Sequence, residues 1–69
     1  MERTPVSSSI IAAIGYHADS LTLEVELNRG IVYSYSGVPS IVYEMFIAAD
    51  SKGKYFNANI KDRYSFVKV

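Results

Sequence analysis

The stretch GIVYSYSGVP, Gly30–Pro39, decides how this chain folds, because it sets Tyr33 and Tyr35 two residues apart on a candidate strand. Side chains alternate across a strand, so both rings share one side of the sheet. Which side depends on the loop before them. In the preceding LTLEVEL, Leu21, Leu23, Val25 and Leu27 alternate with Thr22, Glu24 and Glu26, the pattern of a strand packed on one face and wet on the other. If the loop is Asn28, Arg29 and Gly30, a type I turn with Gly30 left-handed, then Leu27 faces Ile31, Val25 faces Tyr33 and Leu23 faces Tyr35. The tyrosines then join the core. If Arg29 and Gly30 alone form the loop, the register moves by one, Tyr33 lies opposite Glu26, Tyr35 opposite Glu24, and both rings are outside. Arg is a poor first residue for a two-residue hairpin loop, so the expectation is the three-residue loop with inward rings.

Upstream, SIIAAIGYH reads as a first strand with Ile10, Ala12, Ile14 and Tyr16 on one face. A four-residue loop, His17–Ser20, sets Tyr16 opposite Leu21, Ile14 opposite Leu23 and Ala12 opposite Val25. Downstream, Pro39 suits the first turn of a helix, where a missing N–H costs nothing. PSIVYEMFIAAD then carries Val42, Met45, Phe46 and Ala49 at helical spacing, with Ile41 and Ala48 widening the stripe. Lys52 and Gly53 read as its stop signals. In GKYFNANIKDRY, Phe56, Ile60 and Tyr64 recur every four residues, which predicts a short second helix. SFVKV closes the chain as an edge strand. The predicted class is α+β: a three-stranded antiparallel meander covered by one helix, then a short second helix and a C-terminal edge strand.

Sixty-nine residues make one domain, 1–69, since a second core has no room. Ordering costs roughly 1.5 kcal/mol per residue, so a chain of this size needs tight packing or a second copy. Nine aromatic residues favour tight packing. No apolar run approaches the roughly 20 residues of a membrane-spanning helix, and MERTPVSSS lacks a basic segment followed by an apolar one. The cytoplasm is the expected location, with no membrane partner. The absence of cysteine excludes disulfides and thiolate metal sites.

Hydrolytic chemistry needs a nucleophile beside a base, and His17 is the sole histidine, in or next to a hairpin loop. The Ser7–Ser9 run has no activating neighbour and reads as hydrogen-bonded or capping serine. Glu24 and Glu26 share a solvated strand face without a third ligand, so neither a metal centre nor a glycosidase pair is indicated. The expected protein is not an enzyme and has no cofactor.

Charge is the more informative feature. Residues 1–50 hold two arginines against six carboxylates, a net −4, whereas residues 51–69 hold five cations against Asp62, a net +4. In that basic tail, Lys52 and Lys54 flank a glycine, and Tyr55, Asn57, Asn59, Lys61, Arg63, Tyr64 and Lys68 follow. Cations interleaved with rings and amides are the composition of single-stranded nucleic-acid binders. Phe56, Ile60 and Tyr64 are needed for the core, which leaves Tyr55 as the expected exposed ring. The candidate site is therefore Lys52, Lys54, Lys61 and Arg63 for phosphates and Tyr55 for stacking. The competing reading is a protein-interaction or self-associating module, in which the acidic part of one copy meets the basic part of another.

VSSSIIAAIGYH, LTLEVEL, GIVYSYSGVP and AADSKGKYFNANIKDRY together, in this order, resemble the KTSC family, the domain named for the C-terminus of certain lysyl-tRNA synthetases. The resemblance runs from about Val6 to Tyr64, and the chain is similar to the stand-alone bacterial form. It implies RNA as the suggested ligand, through association with the synthetase, and carries over no catalytic residue.

Overall fold

The computed structural model describes residues 3–6 and 8–69; Ser7 of the serine run lies outside them, as do Met1 and Glu2. Five strands form one antiparallel sheet in sequence order: β1 Thr4–Pro5, β2 Ile11–His17, β3 Thr22–Leu27, β4 Val32–Tyr35 and β5 Phe66–Lys68. Two helices, α1 Ser40–Ala48 and α2 Lys52–Asn59, lie between β4 and β5 in the chain. The α+β class and the edge position of β5 follow the prediction, with β1 added at the opposite edge.

The loop that decides the tyrosines is the three-residue one. Gly30 takes φ +85, its N–H donates to the Leu27 carbonyl at 2.9 Å, and Leu27 N–H donates to Ile31 at 2.8 Å. Val25 then pairs with Tyr33 and Leu23 with Tyr35. Tyr35 is 1% exposed and belongs to the core with Ile11, Ile14, Leu23, Val25, Val38, Phe46, Phe56 and Ile60. Tyr33 packs half-buried against that core.

The first hairpin departs from its predicted register by two residues. Ile14 pairs with Val25, Tyr16 with Leu23 and His17 with Thr22, so the loop is Ala18–Leu21 rather than His17–Ser20. Leu21, expected as an inward strand residue, is instead exposed and takes φ 53, closing the turn by donating its N–H to Ala18 at 3.3 Å. A leucine there is sterically costly, and the tertiary structure compensates: the Leu21 carbonyl accepts the N–H of buried Val38 at 2.9 Å. At the other end of β2 a bulge between Ile11 and Ala13 breaks the alternation. Ile11 thereby joins Ile14 inside, whereas Ile10, expected on the face of Ile14, is exposed.

The helices cover the sheet jointly. Pro39 stands as the extended N-cap of α1 rather than in its first turn. Val42, Tyr43 and Phe46 face inward, and Tyr43 stacks on Tyr16 with centroids 4.8 Å apart. Ile41 and Met45, predicted or allowed as part of the packing stripe, are 58% and 55% exposed. Phe46 is fully buried between the helices, stacked against Tyr55 at 5.7 Å and Phe56 at 6.3 Å.

Lys52 and Gly53 do not merely end α1; they begin α2, with Ser51 as N-cap accepting from Lys54 N–H at 3.4 Å. Lys52 keeps part of its predicted role, because its ammonium donates to the Ala49 carbonyl at the end of α1, at 3.1 Å. Gly53 is buried because α2 approaches the side chain of Ile10 so closely that a Cβ would sit 2.9 Å from it. No helix among the described residues is long and apolar enough to cross a membrane.

Candidate functional site

The predicted basic segment is real, but the fold distributes it. Lys52 is half-buried on Ala49, and Lys54 is exposed on the first turn of α2. Lys61 and Arg63, two residues apart in the turn after α2, line different depressions. Tyr55 is not the free ring that was expected: it is half-buried, with one face stacked on Phe46. With Val42, Asn59, Arg63 and Tyr64 it lines a shallow depression of about 340 Å³.

A larger cleft of about 570 Å³ opens where the sheet's core face meets the end of α2. It is built from six segments of the chain. Tyr33 and Tyr35 come from β4 and Phe66 from β5; Phe56 and Asn57 come from α2, Lys61 and Asp62 from the turn that follows; Asn28 and Arg29 come from the β3–β4 loop. Ser9 and Ile10 close the remaining side. That wall is fixed by Ser8, whose hydroxyl accepts from Ile11 N–H at 3.3 Å and whose carbonyl accepts from the Asn28 amide at 3.2 Å. Asn28 N–H also donates to the Ile10 carbonyl at 2.9 Å.

Register explains how the rings converge. Tyr35 pairs with Phe66 and Tyr33 with Lys68, so all four project from the same face of the sheet. Phe66 meets Tyr33 edge-on at 5.2 Å and lies 5.4 Å from Tyr35, yet is 51% exposed. It is therefore a ring held from behind with open surface in front. Burial pushes the Tyr35 phenol up to about 12, with Tyr33 and the Asp62 carboxylate adding to the effect. At neutral pH the phenol is a protonated donor, and Asp62 lines the same cleft.

Arg29 and Lys61 at this cleft form no ion pair with a described residue. Among the described residues the ion pairs are those of Arg3, whose Nη1 meets Glu24 and whose Nε meets Glu26 at 3.2 Å. Arg29, Lys61 and Lys68 are in none. Glu24 and Glu26, expected on a solvated face, are instead covered in part by this arginine. No group of three His, Asp or Glu side chains suited to a metal occurs among the described residues.

Of the residues expected to contact nucleic acid, Lys61 lines this cleft; Phe66, Arg29 and Asp62, which also line it, were not among them. Phe66 was read as part of an edge strand; its pairing with Tyr35, which turns it toward the cleft, is the signal that identifies it. Chemically the cleft offers an aromatic platform, cations, and a carboxylate and amides for directional hydrogen bonds. Such a mixture suits a flat heteroaromatic group attached to an anion.

Comparison with known proteins gives a consistent identity. The profile of the KTSC domain matches residues 7–64. An uncharacterised protein of Stutzerimonas stutzeri is 36% identical over 64 residues, 93% of this chain and 90% of that protein. A lysine–tRNA ligase of Nostoc punctiforme is 40% identical over 61 residues, which is 88% of this chain but 11% of the ligase. The crystal structure of a KTSC domain protein from Yersinia pestis superposes with a TM-score of 0.94 at 40% identity, covering 99% of this chain and 96% of that one.

Proposed function

The chain belongs to the KTSC domain family, and from that premise we propose that it is a non-catalytic, cytoplasmic module that binds single-stranded RNA across the β4–β5–α2 cleft. The observation that carries the reading is the meeting of Phe66's open surface with Arg29 and Lys61, two cations without carboxylate partners among the described residues. A base stacks on Phe66 while its phosphates lie toward the cations. Lys68, on the same face, and exposed Lys54 and Arg63 extend the contact to neighbouring phosphates. Lys52, already held by Ala49, and Tyr55, already stacked on Phe46, have smaller parts. The similarity to a segment of a lysine–tRNA ligase, an enzyme whose name places it on tRNA, supports an RNA ligand.

Fluorescence anisotropy with a labelled mixed-sequence decamer tests this. Affinity falls as salt rises, with a log–log slope of about −3.5 for five phosphate contacts on a single strand, of which Arg29 and Lys61 supply about −1.4. The double variant Arg29→Glu, Lys61→Glu loses binding at least about tenfold and flattens that slope. Absence of binding by the unaltered protein at low salt overturns the proposal. A second reading, self-association, draws on Ile41 and Met45, exposed on the outer face of α1. A concentration-dependent dimer in light scattering, with no RNA retained, favours it instead.

A further inference from the structure

We propose that the cleft reads the base it receives and selects guanine, with Asp62 as the reader. This rests on the RNA-binding role above and goes beyond it, because stacking and phosphate contact are indifferent to base identity. Asp62 lines the same cleft as Phe66, Lys61 and Tyr35. Its carboxylate is in no ion pair with a described residue, so both oxygens are open to a ligand.

An ionised carboxylate accepts hydrogen bonds and donates none, and its two oxygens suit two parallel donors. Guanine alone among the four bases presents adjacent donors, N1–H and N2–H, on its Watson–Crick edge. Adenine and cytosine place a ring lone pair beside their amino group, which the carboxylate repels. Uracil flanks its one N–H with two carbonyls. Asn57, on the same cleft, has an amide that can donate to a base carbonyl such as guanine O6. A volume of about 570 Å³ accommodates a nucleotide. Arg29 and Lys61, which line the same cleft, suit its phosphate, so the carboxylate and the cations act on different parts of one ligand.

The test uses heptamers UUUXUUU, with X as G, A, C, U or inosine, on the full chain. Guanine at X binds roughly tenfold or more tightly than uracil, the scale of a good bidentate contact. Inosine, which lacks the N2 amino group, falls severalfold below guanine. Asp62→Asn removes the guanine preference while the all-uridine heptamer binds as well as before or better, since a negative charge has gone. Asp62 is exposed in a turn, and the inosine comparison on the unaltered protein stands independently of whether that variant folds. Equal binding of all five heptamers, or a guanine preference that survives in Asp62→Asn, overturns base reading and leaves RNA binding intact. Failure of every heptamer to bind removes the RNA role itself. Guanosine monophosphate that binds as tightly as the guanine heptamer keeps the base and overturns the strand.

Discussion

Two aromatic clusters, built from the same residue types a few ångströms apart, differ in what lies behind and in front of each ring. In the cluster between the helices, Phe46 is sealed, and Tyr55 and Phe56 lie against its faces. In the cluster across β4 and β5, Tyr33 and Tyr35 support Phe66 from within and leave half of it open. A ring surrounded by others contributes cohesion; a ring supported on one side contributes a surface. Tyr35 joins the two, in contact with Phe56 at 5.8 Å and Phe66 at 5.4 Å.

The largest effect that separates the clusters is in stability. Phe46→Ala empties the site between the helices and costs about 3–5 kcal/mol, much of what a domain of this size possesses. A urea melt followed by circular dichroism shows the loss; a small shift in midpoint breaks the assignment of Phe46 as the inner keystone. Next comes Phe66→Ala, which lowers RNA affinity by about 1–3 kcal/mol, the range of one base–ring stack, with a smaller cost in stability. Tyr55→Leu, at the other cluster, lowers RNA affinity by less than Phe66→Ala does. If anisotropy ranks these two variants in the opposite order, the tail reading from sequence is restored at the expense of the cleft.

A finer test uses the shared residue. Tyr35 is neutral in the fold, its phenol raised from 10.0 to about 12 chiefly by burial, whereas an unfolded chain ionises it near 10. The associated stability is whole below about pH 10 and is lost as pH climbs through about 12. Thermal melts across that window decline more steeply for the unaltered protein than for Tyr35→Phe. Parallel declines would show that Tyr35 ionises as freely as an exposed phenol and lies outside the sealed cluster.

Much of the fold was legible along the chain because its signals are local. The alternation in LTLEVEL marked β3, and Gly30 marked the loop, since a left-handed third position strongly favours glycine. Those two signals were enough to turn Tyr33 and Tyr35 inward. The first hairpin lacked such a signal: Leu21 occupies a left-handed position that its side chain does not advertise, held there by a bond to Val38. The bulge beside Ala12 likewise exchanges Ile10 for Ile11 without any mark in composition. Strand β1, two residues containing a proline, carries no periodicity at all.

The candidate site was legible as a charge pattern and illegible as a place. Five cations in the tail raised the expectation of an anionic partner, yet a turn sends Lys61 and Arg63 to different depressions, and Tyr55 is turned to Phe46 by the packing of two helices. Sequence by itself determined the α+β class, the inward tyrosines and the basic C-terminal third, because periodicity, turn chemistry and charge are properties of neighbouring residues. Tertiary structure alone decided which ring stays open and which cations stand beside it, because strand pairing and helix docking bring Arg29, Tyr33 and Tyr35 across long separations to Lys61, Asp62 and Phe66, and burial is a property of the assembled whole.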